Sequence, residues 1–113
     1  MRFHSAHIDN LRKLYVDQIR HMHSAETQIT EALPKMIEAA SDPELKRILQ
    51  THLQETREQV SRLQTILERT PGTPEPKHSK AMACIIDDGN DMIADSKNDP
   101  VRDAAIITAG QRV

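Results

Sequence analysis

The chain has 113 residues, enough for one domain, and sets 15 Lys plus Arg against 17 Asp plus Glu, a formal net charge of −2. Residues 1–69 carry ten basic and ten acidic side chains and the remainder five and seven, and aromatics are 2%, Phe3 and Tyr15; neither a basic surface nor stacking platforms exist for nucleic acid. A lone cysteine, Cys84, excludes a disulfide or thiolate zinc site within one chain, no apolar run approaches the roughly 18–20 residues of a membrane span, and Met1-Arg2-Phe3-His4 leads into polar sequence, so a cytoplasmic protein with no nucleic-acid or membrane partner is expected.

Three glycines and 37% hydrophobic residues fit amphipathic helices with narrow buried stripes, and no alternating run suggests a strand. The first helix is predicted over residues 7–40. Its apolar positions Ile8, Leu11, Tyr15, Ile19, Met22, Ile29, Leu33, Met36 and Ala40 recur at three- and four-residue spacing. Asp9, Arg12, Lys13, Asp17, Arg20 and Lys35 lie mostly off the stripe. Pro34 removes one backbone donor, which predicts a kink near Thr30 to Leu33 without a stop, because the periodicity resumes in phase.

Ser41-Asp42-Pro43-Glu44 reads as a helix start: a capping side chain, a first-turn proline and an acid at the positive end of the dipole. A second helix follows over residues 43–69, with Leu45, Ile48, Leu49, Leu53, Val60, Leu63, Ile66 and Leu67 inward. So short a turn makes the two helices antiparallel neighbours. Three of the six prolines fall in the segment from Thr70 to Pro76, so residues 70–79 are a proline-rich linker within the domain. A shorter helix is predicted over residues 79–95, and Asn98-Asp99-Pro100 opens another from Val101. That last segment reaches Val113 without a terminating signal, as though an element were interrupted there.

Polar side chains interrupt both long stripes. At 100° per residue Glu26 shares a face with Met22, Ile29 and Leu33, Gln18 falls in the same arc, and His21 lies at its edge. On the second helix His52, Thr56 and Gln59 lie within the apolar arc and Glu55 at its margin. Glu26 is about 15 residues before the turn and Glu55 about 13 after it, which at about 1.5 Å per residue places both roughly 20 Å from the hairpin end. Glu26, His52, Glu55 and Gln59 are therefore expected in one layer of the core.

Two readings of that layer compete. It can be a metal-free polar layer that fixes register, with Glu26 bonded to Gln59 or paired with imidazolium at His52. Less commonly for buried polar residues in bundles, it is part of a site for two iron or manganese ions, which inward carboxylates and imidazoles at one level of a bundle supply. His4, His7, His23 and His78 read as solvated surface histidines and Cys84 as inert packing on an apolar helix face. No nucleophile–base grouping, phosphate loop or His-Glu-x-x-His motif is present.

Leu14-Tyr15-Val16-Asp17-Gln18-Ile19, Ser24-Ala25-Glu26-Thr27-Gln28, Ala32-Leu33-Pro34-Lys35-Met36 and Ser41-Asp42-Pro43-Glu44-Leu45-Lys46 form one ordered set of motifs. It continues with His52-Leu53-Gln54-Glu55-Thr56-Arg57-Glu58-Gln59-Val60, Asp99-Pro100-Val101-Arg102-Asp103-Ala104-Ala105 and Gln111-Arg112-Val113. Over nearly the whole chain this resembles the YciE/YciF family of bacterial ferritin-like proteins. The resemblance implies an all-α, ferritin-like four-helix bundle, incomplete in this chain: two long antiparallel helices, a short crossover helix and the start of the next helix. It also implies a stress-associated protein that forms dimers, with an iron or manganese centre inferred from the fold and ferrous-iron oxidation or peroxide removal as its chemistry.

Carried over by position, Glu26 and Glu55 are the carboxylates of the first two helices, and His52 and Gln59 are ligands or donors to ligands. Two departures stand out. Ferritin-like sites commonly use Glu-x-x-His, but Glu58 stands three residues after Glu55, in the place of the imidazole. The family also continues past Gln-Arg-Val with a Glu-His-Tyr-Glu segment and an acidic fourth helix, so half of the expected ligands and of the bundle wall are expected to be missing here. Two hairpins packing face to face are the expected remedy, giving a homodimer that brings two copies of Glu26 and Glu55 together.

Overall fold

The structure, a computed structural model, describes residues 8–113. The readings for His4 and His7 therefore lie outside the described residues. Four helices follow in order, α1 (Leu11–Ala39), α2 (Pro43–Arg69), α3 (Lys80–Asp95) and α4 (Asp99–Gly110), and there is no strand among the described residues.

Each helix starts on a side chain able to satisfy a free backbone donor. Asn10, Asp42, Ser79 and Asn98 accept from the N–H groups of Lys13, Leu45, Met82 and Val101. These caps correct two predicted starts. α1 begins at Leu11, because extended Asn10 caps it at 2.9 Å. α4 begins at Asp99, two residues before the expected Val101, because Asn98 is the cap and Asp99 and Pro100 fill the first turn. α1 runs through Pro34 without a break.

α1 and α2 form the antiparallel hairpin that their short turn requires. The main core joins Ile29, Leu33, Met36 and Ala40 of the first arm to Leu45, Leu49 and Leu53 of the second, capped by Ile106 and Ala109 of α4. Leu33 and Ile106 are completely buried. A smaller cluster of Ile19, Leu63 and Leu67 closes the far end of the hairpin. Between the two clusters sits Thr56, also fully buried.

α3 packs chiefly on α4. The approach is close: a Cβ built on Gly89 would stand 3.1 Å from the Ala109 Cβ, so glycine lets the two backbones meet there. Asp103 of α4 accepts from the Ser41 and Asp42 amides at 2.8 and 3.0 Å, tying α4 to the hairpin turn.

The linker leaves α2 through a turn at Thr70-Pro71-Gly72-Thr73, closed by a Thr73 N–H to Thr70 carbonyl bond of 2.9 Å, with Gly72 at φ +83° as that turn geometry demands. It then lies along α1 as a strap. Arg20 Nε donates to the Glu75 carbonyl and the Lys77 amide donates back to the Arg20 carbonyl. Further up, the Ser79 amide donates to Ser24 Oγ and Gln28 Nε2 to the Ser79 carbonyl. Asp17, expected on the solvated side of α1, is only 9% exposed, because Lys77 of the strap comes over it.

The molecule measures 50 × 32 × 17 Å with a radius of gyration of 16.5 Å, against about 13 Å for a compact domain of this length. It is a long slab with one open face. The α1 stripe is buried where α4 lies over it, from Ile29 onward; before that Ile19 is buried against α2, while Leu11 at 84%, Tyr15 at 55% and Met22 at 48% are exposed.

Candidate functional site

Of the polar residues singled out on the two stripes, Gln18, Glu55 and Gln59 are exposed, His21, Glu26 and His52 are half-buried, and Thr56 is fully buried. Glu26 on α1 is half-buried. Burial pushes its carboxyl above the ordinary carboxylate value, and the charge of His52 across the hairpin pulls the other way. The two groups, on facing helices, act on each other through space, with no hydrogen bond or ion pair between them.

Thr56 orients the imidazole. Its hydroxyl donates to the His52 carbonyl at 2.8 Å, and Oγ1 stands 3.2 Å from Nδ1 of the His52 ring. With the hydroxyl proton committed to the carbonyl, the oxygen accepts from Nδ1–H in the neutral ring, and Nε2 keeps its lone pair. A ring held through one nitrogen with the other free is the arrangement found behind metal-ligating histidines. His52 also edges a cleft of about 400 Å³ between α2 and α4, lined by Leu45, Ile48, Leu49, Ile106 and Ile107.

The rest of the expected layer does not close. Glu55 and Gln59 are exposed, correcting their expected place in the core, because α4 ends before reaching their level of the hairpin. Glu58 is exposed and accepts from Gln54 Nε2 on its own helix at 3.4 Å, apart from Glu26 and His52. Among the described residues no group of three or more His, Cys, Asp or Glu side chains could hold a metal ion. One oxygen and one nitrogen donor suit iron or manganese in kind, but they fill two positions of a coordination sphere, so a single chain offers a fraction of a site.

Two further expectations change, those for His23 and Cys84, while His21 stays at the edge of the stripe. His23, read as a surface residue, is half-buried, and its Nδ1 is enclosed without a hydrogen-bond partner. His21 pairs with Asp17 at 3.6 Å. Cys84 is exposed, not packed, whereas His78 is exposed as expected. What sequence reasoning missed is the row Asp17, Arg20, Ser24 and Gln28, spaced along one side of α1 and facing the strap. The three- and four-residue spacing of those polar residues was the available signal.

The domain family described as "Domain of unknown function (DUF892)" matches residues 10–113. Protein YciF of Escherichia coli (strain K12) is 32% identical over 105 residues, 91% of this chain and 63% of that protein; the chain thus spans less than two thirds of that relative's length. Among solved structures, YcfI of Rhodopseudomonas palustris superposes with a TM-score of 0.89 at 33% identity, covering 97% of this chain and 70% of that one. The E. coli stress protein YciF superposes at 0.81 with 31% identity, covering 93% and 67%.

Proposed function

The chain belongs to the DUF892 family, together with its relative YciF, and from that premise we propose that it is a stress-associated cytoplasmic protein whose open face binds iron or manganese through Glu26 and His52. The observation that supports this reading is a half-buried carboxyl on α1, within electrostatic reach of an imidazole on α2 whose Nδ1 is engaged by Thr56. Glu55 and Gln59 stand on the same face as outer donors. The remaining positions are filled from a second copy packed against this face, so the working form is a homodimer. When bound, the metal would supply the redox chemistry of ferrous-iron oxidation or peroxide removal. The chain's own residues hold and orient it, and the apolar residues around the cleft restrict water.

The competing reading, a metal-free polar layer in a helical interaction protein, is favoured by the lack of a third ligand within one chain among the described residues. Metal content separates the two. Protein equilibrated anaerobically with ferrous iron or manganese and then desalted should retain stoichiometric metal. Glu26→Ala, His52→Leu and Glu55→Ala should each lower that content, the first two to background. Metal-free wild-type protein would leave the polar-layer reading standing, with the same substitutions altering only stability or assembly.

A further inference from the structure

The row of α2 that looks out over the open face has a symmetry that packing within one chain does not use. Ile48, His52, Glu55, Gln59, Arg62 and Ile66 follow one another at alternating four- and three-residue spacing, the seam along which two helices pack lengthwise. None of the six is fully buried: Ile48 is 53% exposed, Glu55, Gln59 and Arg62 are exposed, and His52 and Ile66 are half-buried. The row also matches itself when reversed. Turned end for end about the point midway between Glu55 and Gln59, it sets Ile48 on Ile66, Glu55 on Gln59 and His52 on Arg62. A seam of this kind is self-complementary about a two-fold axis perpendicular to the helix.

Charge selects the antiparallel orientation. In it an isoleucine pair closes each end of the seam, and Glu55 meets the partner's Gln59. Arg62 falls between the partner's His52 and the partner's Glu55, within reach of the carboxylate. Parallel packing would instead set Glu55 against Glu55 and Arg62 against Arg62, like charge on like. Among the described residues neither Glu55 nor Arg62 is in an ion pair within the chain, so both are open to this exchange. The same reversal covers the rest of the face. The turn end of one copy, where α4 stands, comes beside the far end of the other, where Leu11, Tyr15 and Met22 are exposed. Ile107 of α4, 51% exposed on the wall of the cleft beside α2, then meets that stripe. The α2 strip is about 27 Å long and about 10 Å wide, roughly 270 Å² per chain, which alone is too little for a specific dimer. Two contacts between α4 and the partner's α1, each about 18 Å by 10 Å on both surfaces, bring the total buried to roughly 1,200 Å².

We propose that α2 pairs antiparallel with the α2 of a second copy along the row from Ile48 to Ile66, in a two-fold dimer in which each α4 covers the exposed half of the partner's α1. The seam deepens the homodimer reading above, on which it rests for the second copy alone, and it requires no metal.

Cross-linking and sedimentation equilibrium of the full chain test it, with a chelator present and the exposed Cys84 replaced by Ser in the cross-linking samples. Ile48→Cys and Ile66→Cys proteins mixed in equal amounts should form a disulfide-linked dimer on mild oxidation. Neither should do so alone, because like positions then stand about 27 Å apart along the seam, far beyond disulfide reach. Glu55→Arg and Arg62→Glu, both at exposed positions and so without consequence for folding, should each weaken the dimer at least about tenfold. The double reversal should return it to within about threefold of the wild type. Cross-linking of either cysteine variant with itself would show parallel pairing and overturn the seam. A dimer that forms without the mixed cross-link and ignores both charge reversals would also overturn it, while the homodimer reading would stand on another surface. A folded chain that stays monomeric, its open face left to a different partner, would overturn both.

Discussion

A carboxyl half withdrawn from water has a pH signature of its own. Burial raises the Glu26 carboxyl above its value in the unfolded chain, with His52 opposing, so the folded protein holds that proton more tightly than the unfolded one. The stability from this group is fully present below the unfolded value and is lost as pH rises through the folded one. Glu26→Gln should therefore raise the Tm at neutral pH, and the gain should shrink towards acid pH, where the native carboxyl is itself protonated. A gain that does not change with pH would contradict the burial of this carboxyl. Thr56→Val removes the hydroxyl at His52 Nδ1 and should cost about 1 kcal/mol. It should also release the ring from its Nδ1–H tautomer, a change that ¹⁵N chemical shifts of the imidazole report directly. Glu26 and His52 were legible in the sequence because a polar residue in mid-stripe is conspicuous. Asp17 and His23 were not, since what encloses Asp17 is a strap about 60 residues further along the chain, and helical periodicity carries no information about that contact.

At the level of elements, the boundaries follow side chains more closely than apolar periodicity does. The starts of α2 and α3 were legible because Asp42 and Ser79 stand directly before good first-turn sequences. The α1 start was misjudged because Ile8 extends the apolar pattern past the Asn10 cap. The strap was legible only as a break: Pro71, Gly72, Pro74 and Pro76 mark where the helix must stop, while its hydrogen bonds to α1 run largely through backbone groups that any sequence possesses. Asp42→Ala should cost about 1 kcal/mol in chemical denaturation, through the lost bond to the Leu45 amide. Gly89→Ala sets a helix-propensity gain of up to about 1 kcal/mol against overpacking on Ala109, a Cβ fixed to its backbone and unable to rotate away. Overpacking of this kind costs about 1–3 kcal/mol, so the variant should be less stable, and Gly89→Ala with Ala109→Gly should recover most of the loss.

Considered whole, the molecule is a hairpin with a cover over one end of one face. The all-α class, the antiparallel pair and the crossover were legible in the sequence. The boundary of the cover was not, because it depends on where α4 stops relative to α1, and that is why Glu55 and Gln59 were placed in the core and are exposed. The uncovered stretch of α1, about 16 residues or 24 Å long, beside α2 at a helix spacing of about 10 Å, offers roughly 500 Å² per chain. Two such faces reach about the 1,000 Å² at which specific association becomes plausible. Met22→Glu, on an exposed apolar position of this face, should weaken self-association at least about tenfold without unfolding the hairpin, which circular dichroism of the same samples would verify.

The most direct test of the account is sedimentation equilibrium of the 113-residue chain with and without manganese. If Glu26 and His52 of two copies share the ion, metal must tighten the dimer, because binding and association are linked. The account predicts a dimer whose association constant rises at least about tenfold with manganese, and no such rise for Glu26→Gln. An association constant indifferent to the metal, or a folded monomer under both conditions, would contradict it.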